Sequence, residues 1–226
     1  MLARSPATAS PELEIKFQLG AGALEALQAE LFPLVQAQVA RMHAIYYDTA
    51  SHALRDGGFS LRVRTRGDAA IQTLKHRNGG GLFERDEWET PVKGPELDRA
   101  ALKGTPAETV VGETELAPAF TVEVERRVHV CTRGAAQVEV SFDTGLIAAG
   151  DRSEPVAEME LELLSGPPQA LFEFARELLA KADLTLSFES KAERGYRLVG
   201  HDGVAALKAQ NTAVGPQTRG AEAFQL

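Results

Sequence analysis

The sequence predicts an α+β fold: about eight antiparallel strands, closed into a barrel or stacked as a two-layer sheet, with a few helices packed against the outside. Three observations carry this reading. Two-residue alternation of polar and apolar side chains returns in six separate segments, the connections between strands are mostly short, and helical periodicity is confined to a few stretches between them.

The first strand, "ELEIKFQL" (12–19), sets Glu12, Glu14 and Lys16 against Leu13, Ile15 and Phe17. A helix follows over "AGALEALQAELFPL" (21–34), where Leu24, Leu27 and Leu31 share a face. "HAIYYDT" (43–49) and "AIQTLKHR" (70–77) are rich enough in β-formers to be strands, on either side of the alternating "FSLRVRTR" (59–66). "RNGGGL" has the glycine content of a hairpin connection and leads into "FERDEWET" (83–90). Strands are again predicted at "TVEVERRVHV" (121–130), "QVEVSFD" (137–143) and "AEMELELL" (157–164), the first two joined through "RGAA". "PPQALFEFARELLAKAD" (167–183) opens on a proline pair and lines up Leu171, Phe174 and Leu178 as a helix, and "SKAERGYRL" (190–198) is a third helix after a short β-like stretch at 184–188. Residues 1–10 read as a disordered lead-in, 11–200 as one domain, and 201–226, small and polar, as a tail or linker.

With 226 residues and 44% apolar side chains the chain can bury a real core. Its net charge of −8 argues against a bulk electrostatic grip on nucleic acid or on an anionic membrane, although a local basic site fits within an acidic total. Cys131 is the single cysteine, so an internal disulfide or a cysteine-built zinc site is excluded; together with the lack of a secretory h-region this suits the cytoplasm. No run of 18 apolar residues exists to span a membrane as a helix. The five histidines, His43, His52, His76, His129 and His201, show no paired spacing, and no catalytic role is assigned to them.

Residues of like parity show what each strand carries on its polar side: Glu12, Glu14, Lys16; Arg62, Arg64, Arg66; Lys75; Arg85, Glu87, Glu89; Glu139, Ser141, Asp143; Glu158, Glu160, Glu162. A solvated sheet face is the plain alternative. Yet a face that only meets water gains nothing from stacking three glutamates on one strand and three arginines on another, since like charges at i and i+2 repel. Such ladders become reasonable when carboxylates surround a hard divalent cation and Arg and Lys surround a polyanion. A phosphate chain with its metal needs both. An outer-membrane barrel would also be apolar outside, but the chain has one Trp and three Tyr for an aromatic girdle, and amphipathic helices interrupt its strands. Those helices are the better cover for the apolar outer faces.

Glu12-x-Glu14-x-Lys16 resembles the ExExK signature of the CYTH, or triphosphate tunnel metalloenzyme, superfamily. "YYDT" (46–49), "LRVR" (61–64), "TLK" (73–75), "RDEWE" (85–89), an arginine-bearing strand at 123–130, "EVSFDTG" (139–145), "EMELELLSG" (158–166) and "SKAERGY" (190–196) follow in the family's order. The resemblance implies an eight-stranded antiparallel tunnel that binds a triphosphate group and Mg²⁺ or Mn²⁺. It implies Glu12, Glu14, Glu158 and Glu160 as metal ligands, with Glu162, Asp143 and Glu87 near the metal or its waters. Lys16, Arg62, Arg64, Lys75, Arg85, Arg126 and Lys191 would hold phosphate oxygens, and Glu14, Lys16 and Glu160 would take part in the chemistry. Strand parity conflicts at one position: Arg127, not Arg126, is in phase with Glu123 and Glu125; Arg126 is kept on the resemblance and Arg127 stays open as the alternative, since a bulge would shift the phase.

The implied activity is metal-dependent hydrolysis of inorganic triphosphate to diphosphate and phosphate. Thiamine triphosphatase, adenylate cyclase, and a polyphosphate or nucleotide sensor without turnover are the alternatives. The tail resembles the linker that precedes a CHAD domain in longer bacterial proteins of this kind; a disordered tail of a complete protein is the competing reading. A triphosphate-bearing small molecule is the expected partner, with neither nucleic acid nor membrane.

Overall fold

A computed structural model describes residues 10–31, 37–77 and 84–200. Its strands are β1 (Ser10–Leu19), β2 (Gln38–Asp48), β3 (Phe59–Arg66), β4 (Ala69–His76), β5 (Glu84–Val92), β6 (Ala117–Arg133), β7 (Ala136–Ala149), β8 (Arg152–Ser165) and β9 (Leu184–Ser187). The helices are α1 (Ala23–Leu31), α2 (Ala53–Asp56), α3 (Ala107–Val111), α4 (Pro168–Leu179) and α5 (Lys191–Val199), with a 3-10 turn at Arg99–Leu102. The lead-in up to residue 9, the "RNGGGL" connection beyond Arg77, the end of the predicted first helix and the tail from 201 lie outside the described residues.

Every strand pairing is antiparallel, in the order β5-β4-β3-β2-β6-β7-β8-β1-β9. The sheet is strongly curved: β1 pairs with β8 through Glu14–Gln18, while its residues Ser10–Leu13 pair with Glu84–Glu87 at the far end of the sheet. The predicted tunnel of eight strands is therefore present, with β9 added along the remaining length of β1. That ninth strand is the short β-like stretch at 184–188, additional to the eight expected. Along this order the arginine-bearing β3 lies four strands from β8, so the curvature turns the basic and acidic ladders toward each other.

The apolar outer faces are covered as expected. Ile15, Phe17, Val140, Phe142, Met159 and Leu161 pack under Leu27 of α1 and Leu171, Phe174 and Leu178 of α4. Full burial of each such side chain contributes about 1.5–3 kcal/mol. A second layer covers β2–β5, where Leu61, Val63, Leu74 and Trp88 meet Leu54 of α2, Leu102, and Ala107 and Val111 of α3. The helical pieces of that layer are four or five residues long, too short to show a helical period in sequence.

Helix α5 departs from the expectation that helices lie outside. Its Ala192 and Tyr196 pack on Tyr46, Phe120, Val122, Ile147, Ala149 and Val156, which share parity with lumen-facing residues of their strands. It therefore fills one end of the curved sheet from within. Gly195 makes this possible: a Cβ there would lie 2.1 Å from the Phe120 ring. The helix starts on a capping box, in which the Ser190 hydroxyl accepts from the Glu193 N–H and the Glu193 carboxylate accepts from the Ser190 N–H. Asp48 ties the same end together, because one oxygen accepts from the N–H of Leu54 and the other from the N–H of Arg55 and the Tyr196 hydroxyl at 2.7 Å.

Candidate functional site

Inside the curve lies a cavity of about 240 Å³ lined by residues of β1 to β8 and the start of α5. Its walls differ in character, and strand order decides which is which. Arg62 and Arg64 from β3 and Lys75 from β4 form a basic wall, with Glu87 and Glu89 of β5 beside it. Glu14 and Lys16 from β1, Glu160 and Glu162 from β8 and Glu139 and Asp143 from β7 form the opposite one. Met42, Ala44, Val122 and Val124 make an apolar strip on β2 and β6.

Register turns the acidic ladders into rows. Glu14 is paired with Glu162, which is paired on its other side with Glu139, so three carboxylates stand side by side across β1, β8 and β7. Like charges directly opposed on a sheet destabilise it unless a cation joins them. In the next row Lys16 faces Glu160, and their charged ends are 3.4 Å apart; Lys16 also lies 3.7 Å from Glu14.

Deeper in the wall the carboxylates are already neutralised. Asp143, Glu158 and Glu160 each bring an oxygen within 4.8 Å of the others, a spacing that suits one cation. The Lys191 ammonium sits among them, 2.6 Å from Asp143, 3.0 Å from Glu160 and in close contact with Glu158. Arg126 donates to both oxygens of Asp143 at 2.7 and 2.6 Å and to Glu160 at 2.5 Å. Burial alone would push the Asp143 carboxyl up, but Lys191 and Arg126 outweigh it and hold the group below the ordinary carboxylate range. Glu160 is held well below, since Lys191, Arg126 and Lys16 together overcome its burial. Glu158 goes the other way: burial dominates and raises it. It is 0% exposed and is absent from the cavity lining, with Arg194 of α5 donating to its second oxygen at 3.2 Å.

On the basic wall the cations crowd one another. Arg64 is pushed down to about 10, first by the neighbouring Arg62 charge and then by burial. Glu89 lies 3.6 Å from Arg64, and Glu87 the same distance from Lys75. Arg62 donates to the Tyr46 hydroxyl at 3.3 Å; burial would raise that phenol, but the guanidinium beside it lowers it. A site with this many convergent cations and a row of adjacent carboxylates is suited to an anion that brings its own metal.

Of the residues singled out in sequence, Glu14, Lys16, Arg62, Arg64, Lys75, Arg126, Asp143, Glu160, Glu162 and Lys191 meet at this cavity, and Glu158 lies just behind it. The side chains of Glu12 and Arg85 lie outside those described; their backbones pair with each other. Arg126 faces the lumen without any bulge, because β6 pairs with β7 in unbroken register from Thr121 to Arg133. The lumen side of β6 is simply apolar on either side of it, at Val122, Val124 and Val128. Arg127 points outward, to Glu125 and to Gln28 of α1. Tyr46 and Glu139 also line the cavity, beyond the site residues expected from the sequence. The parity of β2, shared with Met42 and Ala44, is the signal that places Tyr46.

The model of the CYTH domain family matches residues 10–196. An inorganic triphosphatase of Haemophilus influenzae is 35% identical over 172 residues, which are 74% of this chain and 48% of that protein. The chain thus spans about half the length of that relative. Among solved structures, a Hippeastrum adenylyl cyclase candidate described as having a dominant triphosphatase activity superposes with a TM-score of 0.60 at 20% identity, covering 82% of this chain and 96% of its own. An adenylate cyclase candidate from Bacillus halodurans gives 0.55 at 16% identity, covering 81% and 96%.

Proposed function

Because the chain belongs to the CYTH domain family, we propose that its tunnel hydrolyses inorganic triphosphate to diphosphate and phosphate with the help of Mg²⁺ or Mn²⁺. The observation that carries this reading is the pairing of walls: Arg62, Arg64 and Lys75 across one cavity from Glu14, Glu160 and Glu162. The likeness to a Haemophilus triphosphatase supports the same choice.

The donor set fits a hard divalent cation, since the row Glu14, Glu162 and Glu139 offers only carboxylate oxygens at adjacent register positions. Glu14, Glu160 and Glu162 would hold the ion, with Asp143 alongside and Glu12 as the remaining acidic residue of β1. When bound, such an ion neutralises phosphate oxygens and makes a water more acidic.

The chain's own residues do the rest. Arg62, Arg64, Lys75 and Arg126 bind the equatorial phosphate oxygens and fix the chain along the tunnel, which is most of what a loose phosphoryl-transfer transition state requires. Lys16, between Glu14 and Glu160, bridges the acidic wall to the phosphate that is transferred. Glu160, kept ionised by its neighbours, accepts hydrogen bonds and does not donate a proton near neutral pH. Water adds to the terminal phosphorus, the bond to the bridging oxygen breaks, and diphosphate leaves. The single cysteine, Cys131, is a free thiol, in keeping with a cytoplasmic setting.

The test is phosphate release from tripolyphosphate, ATP and thiamine triphosphate, with and without Mg²⁺ or Mn²⁺. Tripolyphosphate is expected to be turned over fastest and only with metal. Glu14→Gln should abolish turnover, lowering kcat by about 10²-fold or more, without a loss of fold. Tight binding of tripolyphosphate with no release under any condition would replace hydrolysis by sensing.

A further inference from the structure

We propose that Lys191 stands in for a second metal ion: its ammonium is the resident cation of the Asp143, Glu158 and Glu160 cluster, so the lumen takes a single divalent ion, ahead of that cluster among Glu14, Glu160 and Glu162. The placing of the ion rests on the reading of the lumen as a metal-assisted triphosphate site. The filling of the cluster does not, since it follows from contacts within the chain. The cluster has the form of a cation site, with one oxygen from each carboxylate within 4.8 Å of the others. An ammonium brings three N–H donors and no acceptor. Lys191 meets one oxygen of each carboxylate: Oδ2 of Asp143 at 2.6 Å, Oε1 of Glu160 at 3.0 Å and Oε1 of Glu158 in closer contact. Arg126 holds both oxygens of Asp143 and Oε2 of Glu160, and Arg194 donates to Oε2 of Glu158 at 3.2 Å. Every carboxylate oxygen of the cluster therefore faces a cation of the protein's own, and the three negative charges are matched by Lys191, Arg126 and Arg194.

A divalent ion has no place in this arrangement as long as Lys191 stays. Mg²⁺ bonds oxygen at about 2.0–2.1 Å, so an ion joined to the oxygens that meet Lys191 would press against the ammonium. It would also add positive charge where no carboxylate oxygen is left to answer it. Asp143 and Glu158 are each 0% exposed and Lys191 7%, so there is little water to screen the repulsion. Displacing Lys191 is costly too, because it opens α5, which the capping box at Ser190 and the bond from Tyr196 to Asp48 hold in place. Glu160 alone reaches both parts of the wall, since its Oε1 also lies 3.4 Å from Lys16, which is 3.7 Å from Glu14. Glu158 and Asp143, which the family resemblance implies in or near the metal shell, are on this reading the partners of the lysine. A chelator that strips the divalent ion leaves their cation where it is.

The experiment counts Mn²⁺ bound at equilibrium, from the EPR signal of the free ion, in the protein without any polyphosphate. The wild type should hold about one ion per chain, and Lys191→Met, which removes the charge and keeps much of the side chain's length, about two. Glu158→Gln added to Lys191→Met should return the count to that of the wild type, whereas Glu158→Gln alone should leave the wild-type count unchanged. Two ions in the wild type, no gain in a folded Lys191→Met, or an ion lost in Glu158→Gln overturns the proposal. Should Lys191→Met fail to fold, the wild type and Glu158→Gln still decide: one ion in each supports it, and a second ion or a lost one sinks it. The counts do not depend on turnover, so a protein that binds the ion but leaves tripolyphosphate intact refutes the activity and not the role of Lys191. A wild type that binds no ion refutes the placing of the metal in the lumen, and the gain in Lys191→Met then decides the cluster.

Discussion

Two adjacent arginines on β6 separate lumen from exterior, and their side chains show what the lumen demands. Arg126 is 16% exposed and neutralises Asp143 and Glu160, whereas Arg127 is 40% exposed and pairs with Glu125. Removing one partner from a buried ionic group leaves uncompensated charge, at a cost of about 3–5 kcal/mol when the site is dry. The cavity beside Arg126 softens that, so Arg126→Leu should destabilise by about 3 kcal/mol at most and strongly reduce turnover. Arg127→Leu, on a screened surface pair, should change stability by about 0.5 kcal/mol or less and leave turnover unaltered. Urea midpoints and tripolyphosphate kinetics of the two variants check the contrast; equal effects would mean that the lumen face of β6 has been misassigned. The sequence could not separate the two by parity alone, because the rule that polar residues share a face fails on a strand whose lumen side is mostly valine. Glu14, Arg62, Arg64 and Glu160 were legible for the opposite reason, as their strands alternate cleanly where they border the cavity.

Helix α5 is the element on which both ends of the site depend, since it delivers Lys191 to the carboxylates and closes the lumen behind them. Its sequence showed a helix but not its location, because a small helix with one apolar side looks the same outside a barrel as within its end. Gly195 holds the difference. Alanine is a better helix former by about 1 kcal/mol, but here its methyl would meet the Phe120 ring, a stiff neighbour, and overpacking costs about 1–3 kcal/mol. Gly195→Ala should therefore give a net loss of stability, and a larger loss of turnover as Lys191 is displaced; a stabilised, fully active variant would contradict this packing. The capping box adds a pH dependence. Burial raises the Glu193 carboxyl, but the Ser190 N–H and hydroxyl and then Arg77 outweigh it and hold the group below its ordinary value. The folded state thus binds that proton less readily than the unfolded chain does. Its contribution is present above the unfolded glutamate pKa, about 4.3, and is lost as pH falls through the folded value. Glu193→Gln should cost about 1 kcal/mol at neutral pH and progressively less in acid, as followed by denaturant midpoints across pH.

Taken as a whole, the molecule keeps its apolar residues in clusters on the outside of the sheet and under α5, and leaves a wet ionic interior between them. Most of this was legible, because period-two alternation reports two faces whatever those faces meet. The covering layer over β2–β5 and the plugged end were not, since short helices and apolar lumen positions such as Ile147 and Val156 carry no period of their own. A hollow core has a thermodynamic consequence. The row Glu14, Glu162 and Glu139 and the neighbouring Arg62 and Arg64 gather like charges within their own walls, so, on the proposed function, a polyanion bound with a divalent cation should add stability. A ligand that binds only the native state at a hundred times its Kd adds about 2.7 kcal/mol. For a domain of this size each kcal/mol moves Tm by about 2–4 °C, so tripolyphosphate with Mg²⁺ should raise Tm by about 5–11 °C. With chelator present the basic wall still acts, and a smaller rise should remain; Arg62→Ala should reduce it, and orthophosphate should not reproduce it. Because the cations are largely enclosed, raising the salt well beyond physiological strength should diminish the shift less than it would for surface charges. Melting curves that are indifferent to tripolyphosphate, with metal and without, would mean that the two walls do not grip a phosphate chain.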